Sequence, residues 1–234
     1  EVLPPYESRS YVDLTLAALQ QFGVKVTARA RKNGSVLYRI AAPQRYTACD
    51  LAIEGDYSQA AFLAVLGCVA GGITVTGLAP DSRQGDKVIL DILKRCGGKI
   101  KTTSDGYAFA RSLLRATEID LADCPDLGPV LFTLGCFCSG ETVIHNAGRL
   151  RMKESDRIEA MQTELQKMGA RITVDGDDVH ITGVALHAPE EPLSGHNDHR
   201  VVMALAVAAC AAGLPACILG AGAVNKSWPA FWDV

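Results

Sequence analysis

The sequence of 234 residues lacks the short motifs that mark the common cofactor and hydrolase chemistries. It has no G-x-x-x-x-G-K-[ST] phosphate loop, no G-x-G-x-x-G dinucleotide turn, no G-x-S-x-G nucleophile elbow and no H-E-x-x-H zinc signature. Nucleotide-binding, serine-hydrolase and zinc-peptidase readings lose their support accordingly. Basic residues are in no excess: 23 Lys and Arg face 26 Asp and Glu, for a formal net charge of -3. Without a basic tail or a long like-charge run, nucleic acid is not an expected partner. The longest apolar run, Val201 to Ala212, falls short of the roughly 20 residues that span a bilayer and reads as a buried helix.

No secretory leader is visible at the start, and the eight cysteines (Cys49, Cys68, Cys96, Cys124, Cys136, Cys138, Cys210 and Cys217) mostly interrupt apolar patterns. That is the usage of buried thiols in a cytoplasmic protein. Cys136 and Cys138 form a C-x-C pair, but no further Cys or His stands at ligand spacing, so core packing is expected there and no metal site. The chain opens at Glu1 without an initiator methionine and stops just after the aromatic-rich Trp228 to Trp232, as a piece of a larger protein would.

What is present is a long repeat. Asp56 precedes the small-residue apolar run Ala60 to Gly72 and then Ile73 to Gly77, a strand pattern. The order returns with Asp126, Val130 to Gly140 and Thr142 to Ile144, and again with Asp198, Val201 to Gly213 and Ala216 to Leu219. The period of about 70 residues is too long for a solenoid, so each unit is a sizeable α/β module. A second, amphipathic helix follows in Gln84 to Arg95 and in Ser155 to Met168, each closed by glycine. Hairpins come next: Lys99 to Thr103 with Tyr107 to Ala110, and Arg171 to Val174 with Val179 to Thr182. The opening residues repeat this later half, with a helix from Val12 to Phe22 and strands Val24 to Ala28 and Ser35 to Ile40. Helices without a polar face belong inside the protein. Equivalent modules would then bring the three aspartate-headed N-termini to one surface.

Charge gathers at two of these helix starts. Arg151-Met152-Lys153-Glu154-Ser155-Asp156-Arg157 reads as the opening of an amphipathic helix, and His196-Asn197-Asp198-His199-Arg200 leads into the apolar one. Basic groups at a helix N-terminus oppose its dipole unless an anion lies in front of them. An aspartate there is most simply an N-cap, for Asp56, Asp126 and Asp198 alike. Asp126, stiffened by Pro125 and Pro129, also suits a general base. Ser155 or Asp156 would cap the second helix, with Arg157 as an exposed ion-pair partner. That leaves the density of Arg149, Arg151, Lys153 and Arg157 unexplained, whereas a cationic clamp on phosphate or carboxylate, with Glu154 as acid or base, explains both signs. His199, between Asp198 and Arg200, is placed to orient a carboxylate or carry a proton. Lys226 follows the last short strand, where Lys153 stands one unit earlier.

The ordered set Ser8-Arg9-Ser10-Tyr11-Val12-Asp13, Glu54-Gly55-Asp56, Pro125-Asp126, Lys153-Glu154-Ser155-Asp156-Arg157, Asn197-Asp198-His199-Arg200 and Asn225-Lys226-Ser227-Trp228-Pro229 closely resembles the 5-enolpyruvylshikimate-3-phosphate (EPSP) synthase family, over its C-terminal half or slightly more. The resemblance implies an α/β (α+β) fold of repeated βαβαββ units packed around buried parallel helices. It makes residues 1–53 the last unit of an N-terminal domain and 54–234 most of the C-terminal domain. The reaction it implies moves the carboxyvinyl group of phosphoenolpyruvate to the 5-hydroxyl of shikimate 3-phosphate, with release of phosphate and without metal or organic cofactor.

By the same resemblance Asp126, Lys153, Glu154 and His199 are catalytic. Arg157, Arg200 and Lys226 bind phosphoenolpyruvate, at the place glyphosate occupies in the family. Ser8, Tyr11, Asp126, Arg149 and Lys153 bind shikimate 3-phosphate. The family's N-terminal Lys-Ser segment and several phosphate-binding residues have no counterpart in this chain, which would carry half a cleft and need the N-terminal half as partner. The complete protein is expected to be a monomer with no membrane association. The alternatives are an enzyme like UDP-N-acetylglucosamine enolpyruvyl transferase, or a catalytically inactive half-enzyme that only binds.

Overall fold

The computed structural model describes residues 1–234. The first stretch holds α1 (Arg9–Gln21) and the antiparallel hairpin of β1 (Val26–Ala30) and β2 (Val36–Ile40). The next module runs α2 (Tyr57–Val69), β3 (Ile73–Thr76), α3 (Ile89–Arg95), β4 (Lys99–Thr103) and β5 (Gly106–Ala110). Residues 118–182 give a complete βαβαββ unit: β6 (Glu118–Asp120), α4 (Gly128–Phe137), β7 (Glu141–His145), α5 (Arg157–Gln166), β8 (Arg171–Asp175) and β9 (Asp178–Thr182). A shorter βαβ piece follows, with β10 (Leu193–Ser194), α6 (His199–Ala212) and β11 (Ile218–Leu219). The second module has no strand ahead of α2; a single backbone bond from Gly55 N–H to the Gly77 carbonyl, 2.7 Å long, ties the chain to the end of β3 instead.

Both hairpins expected from the turn residues form, with Thr103 opposite Gly106 and Asp175 opposite Asp178. One sheet has the order β3-β5-β4, antiparallel throughout, and the other β6-β7-β9-β8, in which only β6 and β7 are parallel. The strand expected from Ala216 shortens to Ile218–Leu219, paired in parallel with β10. In α5 the second of the two expected caps is the one used. The helix starts at Arg157 behind an Asp156 cap, so Arg151 to Ser155 lie ahead of it, partly in a 3-10 turn over Ala147–Met152.

Helices α2, α4 and α6 pack together in the interior, as their apolar surfaces require, within one cluster of 49 buried hydrophobic residues. The buried Thr133 hydroxyl donates to the Ala204 carbonyl at 3.0 Å and joins α4 to α6. The same device seats two of these helices on their sheets. A Cβ at Gly67 of α2 would stand 2.6 Å from Phe109 Cβ on β5, and one at Gly135 of α4 would stand 2.9 Å from Ile181 Cγ2 on β9. Of the cysteines, Cys49, Cys210 and Cys217 are exposed and the other five are buried thiols.

Residues 1–53 behave differently. Ser35 is their one buried residue, and Leu3, Ile40, Tyr46 and Ile53 are all more than half exposed. We therefore expect Phe132→Ala, in the core, to lower unfolding stability by about 3–5 kcal/mol. Leu14→Ala, on a helix with no buried residue, should change it by less than about 1 kcal/mol. Urea titration of the two variants checks this, and equal losses would contradict a core confined to residues beyond 53.

Candidate active site

Three buried helices begin at one place. Asp56 caps α2 by accepting the Ser58 N–H at 2.7 Å, and Asp198 caps α6 by accepting the Arg200 N–H at 2.9 Å. Asp126 does not cap. It lies in the 3-10 turn Pro125–Leu127 that carries the chain into α4, and its carboxylate takes side-chain partners only. Arg200 ties the three helix heads together. It donates to the Ser58 hydroxyl at 2.9 Å and the Asp126 carbonyl at 3.2 Å, and it approaches Asp126 Oδ2 at 3.5 Å.

Asp126 is the meeting point of the cations. Its Oδ1 accepts from Lys153 Nζ at 3.0 Å and Arg157 Nη1 at 3.3 Å, and its Oδ2 accepts from the Tyr11 hydroxyl at 3.2 Å. Burial pushes this carboxyl upward, but Arg200, Lys153 and Arg157 together outweigh it and hold the group down at about 2. Arg157 faces two carboxylates at once. Its Nε and Nη2 grip Asp198 at 2.7 and 3.2 Å, a bidentate pair between residues that are 2% and 0% exposed. The Ser155 hydroxyl adds a bond to Asp198 at 3.1 Å. Burial works against ionisation of Asp198 too, and the Arg157 contacts reverse it, leaving the group below the ordinary carboxylate range.

A second group adjoins the first. Glu154 lies between Lys226 Nζ at 3.1 Å and His199 Nδ1 at 3.0 Å, the latter close but not aligned for a hydrogen bond. Burial chiefly, with Arg200 behind it, depresses the His199 pKa against the pull of Glu154. The environment therefore favours the neutral ring. Oxygen and nitrogen atoms of Glu154, Asp198 and His199 come within 4.8 Å of one another. Asp198 has nevertheless already given its oxygens to Arg157, Ser155 and the Arg200 N–H, so the trio is not a free set of metal donors.

The loop ahead of α6 is braced from beneath. Glu164, 2% exposed on α5, accepts from Ser194 N–H at 2.8 Å and Lys167 Nζ at 2.8 Å, and lies 3.0 Å from His196 Nε2. This holds His196 and Asn197 at φ 48° and 51°, a left-handed pair that carries a strain cost. Lys226 also donates to the Asn197 carbonyl.

Of the residues singled out from the sequence, Tyr11, Asp126, Lys153, Arg157 and Arg200 share one hydrogen-bonded cluster, and Glu154, His199 and Lys226 form the group beside it. Ser8 and Arg149 bond to each other as a separate pair. Two expectations need correction: Asp126 does not cap a helix, and Arg157 is not at the surface. Arg157 is buried, not an exposed partner of Glu154 or Asp156, because two interior carboxylates claim it. Arg149 and Arg151 stand apart from the cations on Asp126: the first pairs with Ser8 and Glu7, the second with Asp156 and the Gly176 carbonyl. The sequence reading passed over Ser58, Asp86 and Glu164, which look like ordinary helix residues until the helices are packed.

Solved structures similar to this chain include EPSP synthase and a further enolpyruvyl transferase. The chain superposes on EPSP synthase from Acinetobacter baumannii with a TM-score of 0.79 at 23% identity, covering 99% of this chain and 55% of that one. The enolpyruvyl transferase NikO from Streptomyces tendae gives a TM-score of 0.72 at 19% identity, over 98% and 52%. The fold is thus the one these transferases share. The family model of EPSP synthase (3-phosphoshikimate 1-carboxyvinyltransferase) matches residues 5–234, and the chain belongs to that family. A 3-phosphoshikimate 1-carboxyvinyltransferase of Methanococcus maripaludis is 39% identical over 98% of this chain and 53% of its own length. One of Clostridium kluyveri is 41% identical over 100% and 54%. The chain spans about half the length of the curated relatives it matches.

The depressed carboxyls make the fold sensitive to acid. Because the Asp126 and Asp198 pKa values lie below the unfolded value of about 3.9, their stabilisation is complete above that pH and is lost as pH falls toward about 2. Denaturant midpoints should therefore drop steeply between pH 4 and about 2. At pH 7, Asp198→Ala should cost about 3–5 kcal/mol by stranding Arg157, and Lys226→Ala, at an exposed pair, less than about 1 kcal/mol. Similar effects from both substitutions would remove Asp198 from its central place.

Proposed function

We propose that this chain supplies the C-terminal half of a cleft for carboxyvinyl transfer from phosphoenolpyruvate to the 5-hydroxyl of shikimate 3-phosphate, with release of phosphate. The observation that carries the reading is the convergence of Lys153, Arg157 and Arg200 on Asp126 at the joint N-termini of α2, α4 and α6. Such a junction offers cationic side chains and positive helix ends to anionic groups. Membership of the family supports the choice of substrates. Residues 1–53, with one buried side chain, are read as the last unit of the N-terminal domain, and 54–234 as most of the C-terminal domain. No helix is long and apolar enough to cross a membrane, and a cytoplasmic enzyme, monomeric when complete, is the setting we propose.

In this scheme the charges are balanced internally until the substrates arrive. Phosphoenolpyruvate draws Arg200 and Lys226 toward its phosphate and carboxylate, while Arg157 keeps Nε and Nη2 on Asp198 and turns only its Nη1 edge to the site. Shikimate 3-phosphate meets Lys153, Tyr11, and the Ser8 and Arg149 pair. With fewer cations on it, Asp126 regains basicity and accepts the proton of the 5-hydroxyl as that oxygen attacks the enol carbon. Glu154, which picks up a proton from solvent as Lys226 moves to the ligand, delivers it to the methylene carbon, giving a tetrahedral adduct. It then takes a proton back from the new methyl group as the bond to phosphate breaks, and Asp126 passes the hydroxyl proton to the departing phosphate. His199, neutral and beside Glu154, keeps that carboxyl in position.

Assays of the chain combined with an N-terminal half test this. Arg200→Ala should raise the KM for phosphoenolpyruvate by about 10-fold or more, the value of a charge-assisted bond, while Asp126→Ala should lower kcat by about 10²–10⁴-fold. The chain alone should show negligible transfer, since loss of a single transition-state donor costs about 10²–10³ in rate. Phosphate release at a normal enzymatic rate by the chain alone, dependent on shikimate 3-phosphate, would contradict the half-cleft reading.

A further inference from the structure

Tyr11 places its hydroxyl between two carboxylates, 3.2 Å from Asp126 Oδ2 and 3.5 Å from Asp86 Oδ2. A phenol has one proton to donate, so it satisfies one of them. The other carboxyl must supply a proton of its own or face the phenol oxygen acceptor to acceptor, with no proton between them. Asp126 is surrounded by Lys153, Arg157 and Arg200 and is at ease as an anion. Asp86 is not. It is 5% exposed, makes no ion pair within 4.0 Å, and its Oδ1 is buried without any hydrogen-bond partner. A buried ionised carboxylate with an empty oxygen is costly. With a proton on Oδ2, Asp86 donates to Tyr11 Oη, Oδ1 becomes a neutral carbonyl, and the Tyr11 proton turns to Asp126.

We propose that Asp86 becomes the protonated head of a directed chain, Asp86 to Tyr11 to Asp126, when an anion fills the cationic cluster: a positioning residue that takes up a proton on binding and so fixes the Tyr11 hydroxyl on Asp126. The uptake rests on reading that cluster as an anion site. The proton comes from solvent and stays on Asp86, and no covalent bond to the anion forms. The groups facing Asp86 are Tyr11 from α1, Asp56 at the head of α2, Cys124 and Asp126 ahead of α4, and Arg200 from α6. Burial first, then the Asp126 charge, raise its carboxyl against the pull of Arg200, up to about 6, while Asp126 stays at about 2. Two neighbouring carboxyls driven apart in this way take opposite proton roles. An anion beside Arg200 offsets the one cation that opposes protonation of Asp86, so binding and proton uptake are linked.

Carbon-13 NMR titration of the side-chain carboxyls in the 234-residue chain tests the first part without any substitution. Asp86 should titrate near 6, and a midpoint at or below the ordinary value of about 3.9 would overturn the chain. Calorimetric titration with sulfate, a dianion throughout the neutral range, tests the second. Run at pH 7 in two buffers of different ionisation enthalpy, it should report proton uptake by the wild type and at least a twofold smaller uptake by Asp86→Asn. The asparagine amide keeps a donor on Tyr11 but cannot titrate. Asp86 is not among the groups that act on His199, so the difference belongs to Asp86. Equal uptake would overturn the linkage. Sulfate binding to neither protein would count against the anion site and against uptake, while the NMR midpoint still decides the Asp86 to Tyr11 to Asp126 order.

Discussion

The buried ion pair between Arg157 and Asp198 is the contact on which the rest of the site depends. Each ion loses several kcal/mol of hydration on burial, and only close geometry with every lone pair employed repays that loss. Here the geometry is bidentate, and Asp198 is completed by Ser155 and by the Arg200 N–H. Arg157 is the first residue of α5, and Asp198 is the cap of α6. The pair therefore fastens two helix starts together. Through Arg157 Nη1 it also holds Asp126 ahead of α4, and through α6 it aims Arg200 at Ser58 on α2. Removing either ion would strand the other in the interior and release all four helix heads.

From this constraint follows a particular kind of site. Four cations, Lys153, Arg157, Arg200 and Lys226, stand beside Asp126, Asp198, Glu154 and, more deeply, Asp86. Near balance of charge lets so many basic groups share one place without anions. It also means that an incoming phosphate or carboxylate competes with carboxylates already there, so binding redistributes contacts rather than filling an empty field. Asp198 does not let go, because its partner is buried with it. Asp126 is more yielding, being partly open to solvent and shared among several donors. The pair thus divides the acids into one that builds the site and one free to take part in chemistry.

The modular fold was legible in the sequence because small-residue helices, glycine stops and turn chemistry are local signals. Gly67 and Gly135 stand at equivalent places in two modules, and each lets its helix lie against a strand. The hairpins followed from Ser104-Asp105-Gly106 and Asp175-Gly176-Asp177-Asp178, with strand ends off by a residue or so. The start of α5 was legible to within one residue, Ser155 or Asp156. Arg151 to Ser155 carry the charges of a helix opening, but Asp156 accepts two N–H bonds at 3.1 Å and fixes the boundary after them. At the site, the charged clusters stand out because each comes at the start of a helix, one amphipathic and one apolar. Asp86 and Glu164 do not, since nothing within a few residues distinguishes them from helix-surface acids. Their significance comes from burial against Tyr11 and against His196, contacts made across 75 and 32 residues of chain.

A crystal structure of this chain assembled with an N-terminal half and soaked with shikimate 3-phosphate and phosphoenolpyruvate tests the central claim most directly. The buried pair predicts Arg157 Nε and Nη2 still on Asp198, with Arg200 and Lys226 moved onto a single bound anion and Lys153 beside Asp126. Arg157 withdrawn from Asp198 to hold the ligand, or Arg200 and Lys226 reaching separate surfaces with no anion between them, would contradict it.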